Sequence, residues 1–375
     1  MIGLDTGHLV YNYGTKLQAY AMQTLLEQNG EKCEIIQWHT KDFKFLNPLV
    51  DEIKRIKKIY TGYRFNIKYW YRVYRRYRAF DRFNKKFHIK KYYGTFQQMK
   101  KNTNIYDKVF CGSDQAWLPG NVEKKWYTLE FCNDDIFKAA YAPSFGIDYI
   151  DEAYRERYKA FLSRLNFISV REISGKKLIM DLIGKEVPVV LDPTLLLRRN
   201  TWDELKADSK IVIPKENYIF CYLLGTNKQH REEIIKLKER YGCKIVNLQH
   251  FSGYCPADDG FGDINLYDVA PQDFIALIEN AKYVCTDSFH CTAFSIHYHK
   301  EFVVFHRFKK SDNGSTNTRL YSLLSQLGLE KCIVEDGTNV EIQSVDYECV
   351  DNKLEKLRQI SAQAMQMALE GKRNV

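Results

Sequence analysis

The chain has 375 residues, too many for one comfortable hydrophobic core and enough for two domains. An apolar fraction of 45% with few Gly (20) and Pro (8) excludes a disordered or fibrous protein. The net charge of +9 is local: fifteen Lys/Arg against two acids between Glu52 and Tyr92 give +13 there and leave about −4 elsewhere, so the global charge says little about partners.

Residues 2–4 read as a short strand entering a polar loop, after which Leu17, Ala21, Leu25 and Leu26 recur at helical spacing up to Gly30. Strands are expected at 33–38, at 108–111 before Gly112, and at 137–142 before Pro143. Two more, 167–171 and 187–191, flank a helix near 176–183. Polar residues take over around 197–214, which places a domain boundary at 205/206. Residues 1–205 then form one domain and 206–375 the other. The second block reads as strand 218–224, helix 231–241, strand 244–248, helix 271–280, strand 283–286, helix 288–298 and strand 302–305. A long helix over 352–369 closes the chain.

The expected fold class is α/β: two Rossmann-like domains in a GT-B-like arrangement, with the final helix packing back on the first domain. Ligands of parallel sheets sit beyond the carboxyl ends of the strands, so the active site is expected in the interdomain cleft.

Candidate site residues stand at the strand ends. Asn12-Tyr13-Gly14, with Gln18 one turn on, opens a helix straight from a loop, so free N–H groups and the positive helix end face the cleft. An ordinary helix start explains the same spacing. In Gly112-Ser113-Asp114-Gln115-Ala116-Trp117, Asp114 is suited to act as general base towards a sugar hydroxyl and Trp117 to stack on a sugar face. The structural alternative is an N-cap by Ser113 or Asp114. Ala142-Pro143-Ser144-Phe145-Gly146 repeats the pattern and offers Ser144, or only a turn.

Thr286-Asp287-Ser288-Phe289-His290 joins a strand to a helix and puts His290 in the first turn. Histidine titrates near neutral pH and suits proton donation. A helix N-terminus lowers its pKa, so a nearby anion such as phosphate is needed to keep the ring protonated. Arg307 and Arg319, with Asn317, offer guanidinium forks for carboxylate and phosphate oxygens.

Cys285, His290, Cys291, His297 and His299 lack paired zinc-ligand spacings, and no metal is expected. The absence of a P-loop and of GxGxxG leaves nucleotide cofactors without support.

Between residues 52 and 92, Trp70, Val73, Tyr77, Phe80, Phe83 and Phe87 recur at helical steps among Lys68, Arg72, Arg75, Arg76, Arg78, Arg82, Lys85 and Lys86. This basic aromatic arm reads either as a surface helix packed by its aromatic stripe or as a helix lying on anionic lipid. Nucleic acid has no other support in the chain. Scattered cysteines, no signal-peptide pattern and no apolar run of membrane-spanning length point to the cytoplasm, and on the lipid reading the arm 52–92 makes a peripheral membrane contact.

Seven motifs in order resemble the polysaccharide pyruvyl transferase family. They are Asn12-Tyr13-Gly14 with Leu17-Gln18, Gly112-Ser113-Asp114-Gln115 with Trp117, Tyr141-Ala142-Pro143-Ser144-Phe145-Gly146, Ser169-Val170-Arg171-Glu172, Leu191-Asp192-Pro193-Thr194, Thr286-Asp287-Ser288-Phe289-His290 and Asn317-Thr318-Arg319. The resemblance implies phosphoenolpyruvate as donor, a sugar acceptor in a lipid-linked precursor of a surface polysaccharide, and a cyclic pyruvate ketal as product, with no cofactor or essential metal. In that scheme His290 is the acid or phosphate partner, Arg307 and Arg319 clamp the donor, Asp114 is the base, and Asn12 and Gln115 position the sugar. The chain departs from the family in having Ser288 where an arginine is usual and Cys291 where glycine is common, and its first strand is expected to be a few residues short. The rival readings are a glycosyltransferase using a nucleotide sugar and a non-catalytic membrane-binding protein.

Overall fold

The computed structural model describes residues 1–39, 48–62, 67–125, 127–251, 253–308, 318–335 and 339–374. The expected site residue Asn317 lies outside the described residues, as do residues 63–66 of the arm. Two parallel sheets organise the rest. The first contains β1 Ile2–Asp5, β2 Cys33–His39, β3 Ile89–Tyr93, β4 Lys108–Cys111, β5 Phe137–Ala140 and β6 Phe167–Ile168, in the order β3-β2-β1-β4-β5-β6. The second contains β7 Tyr218–Tyr222, β8 Lys244–Leu248, β9 Ile264–Leu266, β10 Tyr283–Thr286 and β11 Glu301–Val304, in the order β11-β10-β7-β8-β9. β1, β7 and β10 are buried along their whole length, as strands covered by helices on both faces must be.

Strand order reverses direction between β1 and β4 in the first sheet and between β7 and β10 in the second. A crevice opens at such a switch point because the connections leave towards opposite faces. The segments that leave β1, β4, β7 and β10, each a loop running into a helix start, carry Asn12-Tyr13-Gly14, Asp114, Gly225 and His290.

The domains share one hydrophobic core, which runs from Leu4 and Leu17 to Phe220 and Val284. The Tyr13–Gln28 helix lies at this junction. Tyr13 donates its hydroxyl to Val269 O at 3.0 Å and stacks on Phe274 with centroids 5.0 Å apart. The final Tyr347–Leu369 helix returns to the first domain, where Leu191 N donates to Ser361 Oγ at 2.8 Å. Asn374 then pairs with Ile168 through both side-chain atoms at 2.8 Å, extending the β6 edge.

Three elements differ from expectation. Residues 187–191 make only a single bridge, Val170 to Val189, because Pro188 has no N–H for a ladder. β3 lies inside the basic arm, at a sheet edge where exposed Lys90 and Lys91 discourage further pairing. Arg76, expected among solvated cations, is fully buried. Its Nη1 and Nη2 donate to Gln249 O and His250 O, both at 2.7 Å, tying the Ile67–Phe83 helix to the second domain. The stripe Val73, Tyr77, Phe80, Phe83 and Phe87 is buried, so this helix uses its aromatic face for packing.

Candidate active site

The chain turns sharply out of β4. A Cβ on Gly112 would lie 2.1 Å from Tyr141 O, and its φ of 118° suits only glycine. Asp114 follows with φ 64°, in the left-handed region. From the other domain, Ser288 caps the Phe289–His297 helix, accepting from Cys291 N at 3.4 Å, and this sets His290 in the first turn. His290 crosses to the first domain and lies against Gly14, where a Cβ would sit 2.1 Å from its Nδ1.

Four more charged groups converge there. Arg171, buried after β6, donates from Nη1 to Asp192 Oδ2 at 2.6 Å, and its Nη2 is 3.4 Å from Asp114 Oδ1. Arg319, near the start of the Thr318–Leu327 helix, has Nη1 3.6 Å from the same Asp114 oxygen. Phe289 carries both guanidinium groups, at 4.3 and 5.9 Å from its ring centroid. His290 Nε2 is 3.8 Å from Asp192 Oδ2, too far to bond, and has no hydrogen-bond partner among the described residues; nor does Arg171 Nε.

Burial opposes charge on every member, and the neighbours decide the outcome. Asp114 is held well below the usual carboxylate range because His290, Arg171 and Arg319 outweigh its burial. Asp192 is lowered the same way by Arg171 and His290. Burial lowers His290, with Arg171 and Arg319 adding to the effect against Asp192 and Asp114, so the ring is neutral at neutral pH. Burial and Arg171 bring Arg319 down to about 9. The cluster therefore holds two fixed cations, two carboxylates and a neutral imidazole. An incoming dianion would find donors already in place and would draw a proton onto the ring.

A sequence model of the family described as polysaccharide pyruvyl transferase matches residues 12–306, most of the chain. The chain belongs to the polysaccharide pyruvyl transferase family. No curated protein sequence matches it. Among solved structures it is similar to a Listeria monocytogenes protein assigned as a UDP-N-acetylglucosamine 2-epimerase (TM-score 0.51, 11% identity, 98% of this chain and 95% of that one). It is also similar to UDP-GlcNAc 2-epimerase from Neisseria meningitidis (TM-score 0.48, 12% identity, 99% and 100%) and to S. aureus MnaA with UDP (TM-score 0.49, 11% identity, 100% and 91%). At this identity the likeness concerns the fold, which is GT-B-like.

In this chain several expected site residues serve as scaffold. Asn12 caps its helix, accepting from Thr15 N at 3.1 Å. Gln18 is fully buried and accepts from Ser113 N at 3.2 Å. Ser113 donates to Asp192 Oδ2 at 2.9 Å, and Ser144 to Glu172 Oε1 at 2.9 Å. Trp117 cannot stack on a sugar: it is fully buried between Phe145 and Phe161 and donates to Tyr127 O at 3.0 Å. Gln115 is half-buried beside Asp114. Arg307 is held by Asp287 O at 3.1 Å, with Nε free of partners among the described residues, and lies close enough to Arg319 to depress it.

Sequence reasoning gave no role to Arg171, Glu172 and Asp192, although their motifs were legible. The signal was charge directly beyond an apolar strand, at Arg171-Glu172, and directly before Pro193. Asp5 was also missed. It is buried at the end of β1 and pushed up to about 7 by burial, against a bond from Tyr127 N at 3.1 Å.

Elsewhere His250, Cys255 and Asp258 group their ligand atoms within 4.8 Å. Arg231 donates to Asp258 at 2.8 Å and stands 3.3 Å from His250 Nε2, placing a fixed cation where an ion would bind. His297 donates from Nε2 to Thr194 O, 2.7 Å away, and so is engaged in packing.

Proposed function

We propose that the chain transfers the pyruvyl group of phosphoenolpyruvate to two hydroxyls of a polysaccharide-precursor sugar, forming a cyclic ketal. The observation that supports this best is the convergence of Arg171, Arg319 and an unpartnered His290 Nε2 at the junction of the domains. A donor with a phosphate and a carboxylate needs two cationic forks and a proton source.

Protonation of the methylene carbon makes C2 electrophilic. One hydroxyl attacks C2, the C2–O bond to phosphate breaks, and the second hydroxyl closes the ketal. One hydroxyl proton replaces the proton given to carbon, and the other leaves with phosphate. His290 is the proton donor or phosphate partner. Arg171 and Arg319 clamp the anion, with Arg307 at the edge. Asp114 receives a hydroxyl proton, while Gln115 borders the sugar. A wide groove of about 700 Å³, lined by Tyr149, Ser174, Lys177, Tyr321 and Arg319's chain neighbour Thr318, suits the acceptor. That acceptor is a sugar of a lipid-linked surface-polysaccharide precursor.

Calorimetry tests the donor without knowledge of the acceptor. Saturable binding of phosphoenolpyruvate, lost in Arg319→Ala and His290→Ala, and none of UDP- or GDP-sugars, is expected. Binding of a nucleotide sugar in its place would overturn the reading and make this a glycosyltransferase.

A further inference from the structure

The Pro48–Gly62 helix turns an apolar face to solvent. Ile53, Ile56 and Tyr60 are 64%, 52% and 49% exposed. Their spacing keeps them within about 60° of one another around the helix. Lys57 borders them on one side, Lys54 and Lys58 follow further round that side, and all three stand exposed with no ion pair among the described residues. The flank on the other side, away from the lysines, is anchored. Ile59 is buried, and Arg55 bonds Glu52 at 3.1 Å, Asp81 at 2.8 Å and the Tyr11 hydroxyl at 3.1 Å. Tyr60 meets Trp70 of the next helix edge-on at 5.2 Å, and Tyr71 on that helix is 70% exposed.

We propose that this face lies on the surface of an anionic lipid bilayer. An exposed face that is apolar along one side and carries unpaired lysines along the other is the pattern of an interfacial helix, whose side chains enter the headgroup boundary while cations meet lipid phosphates. A protein partner fits less well. Stable interfaces bury about 800 Å² a side and their centres are poor in lysine, whereas three apolar side chains next to three lysines supply neither. The helix has 15 residues, short of the ~20 that span a bilayer, so it lies along the surface. The aromatic stripe of the Ile67–Phe83 helix is spent on packing, which leaves the preceding helix as the lipid-facing element. Tyr11, bonded to Arg55, adjoins Asn12 at the cleft, so a bound arm holds the cleft beside the headgroups.

Flotation of the full-length protein with vesicles tests this independently of the donor assignment. Binding to phosphatidylcholine vesicles containing phosphatidylglycerol, weakened by salt and weak on phosphatidylcholine alone, is expected. Lys54→Glu/Lys57→Glu/Lys58→Glu should weaken it about a hundredfold, and Ile53→Glu/Ile56→Glu at least ~tenfold. Both variants should keep the wild-type melting temperature and phosphoenolpyruvate calorimetry. Wild-type protein that stays unbound, or variants that bind as it does, would overturn the proposal. A dimer that Ile53→Glu/Ile56→Glu converts to monomer, read by light scattering, would assign the face to a second copy instead.

Discussion

Gly14 and His290 come from opposite domains and touch so closely that a Cβ on the glycine would lie 2.1 Å from the imidazole Nδ1. Gly14 is in the first turn of a helix, where alanine is intrinsically favoured by about 1 kcal/mol. Gly14→Ala is therefore expected to leave the helix intact and push His290 out of place. Pyruvyl transfer should fall about a hundredfold, since a 1 Å misplacement has that effect on a positioned group. A steady-state assay beside a thermal melt checks it. Normal turnover would show that the imidazole position is not critical.

Proton uptake should accompany donor binding. His290 is neutral in the free site because burial and the two arginines lower it. Phosphate and carboxylate charge beside the ring would raise it again, so near pH 7.5 binding should draw a proton from buffer. Calorimetry in two buffers of different ionisation enthalpy measures the number. Wild type should take up close to one proton more than His290→Gln. Equal uptake in the two would remove His290 as the proton donor.

Asp114 competes with the donor for the same cations. Its Oδ1 lies 3.4 Å from Arg171 and 3.6 Å from Arg319. Asp114→Asn should bind phosphoenolpyruvate about tenfold more tightly, because a neighbouring anion is gone. Turnover should nevertheless fall by a hundredfold or more if the carboxylate receives the hydroxyl proton. Tighter binding with full turnover would leave Asp114 as an electrostatic gate alone.

The strand ends were legible because parallel strands are short, apolar and cut off by Gly, Asp or Pro. The bounds of Lys108–Cys111 and Tyr283–Thr286 follow from that pattern alone. His290 and Asp114 were legible for the same reason, since the residue after such a strand faces the crevice. Trp117 was not. Nothing in Gln115-Ala116-Trp117 says that the chain turns inward and covers the ring with Phe145 and Phe161. Arg76 misled in the opposite sense: its spacing resembles that of its exposed neighbours, and only the carbonyls of Gln249 and His250, far away in sequence, give it a buried partner. Long-range satisfaction of this kind leaves no local pattern.

Arg76→Met tests that buried tie. The substitution keeps much of the apolar stem but leaves two buried carbonyls without their donor. A loss of about 2–5 kcal/mol is expected from breaking a buried charged interaction on one side. Chemical denaturation should show the drop, and hydrogen exchange should show earlier opening of the Ile67–Phe83 helix. A change below about 0.5 kcal/mol, the size of a surface substitution, would mean that the bonds to Gln249 and His250 contribute little.

Acid should destabilise the protein through His297. Burial brings its pKa down to about 3 from the ordinary 6.5, against the bond to Thr194 O. The folded chain thus refuses a proton that the unfolded chain accepts below pH 6.5. The stability this gives is fully present above pH 6.5 and is lost as pH falls towards 3, at roughly 1.4 kcal/mol per unit. His8 and His290 are also lowered and act in the same sense. Asp5, raised to about 7, acts oppositely: its contribution is present below the usual carboxylate pKa and disappears as pH rises through 7. A single profile mixes these, so the comparison is with His297→Gln, whose amide can donate to Thr194 O without titrating. Melting temperatures between pH 7 and 4.5 should fall less steeply in the variant. Parallel profiles would mean that the ring is already protonated, or already exposed, in the folded chain.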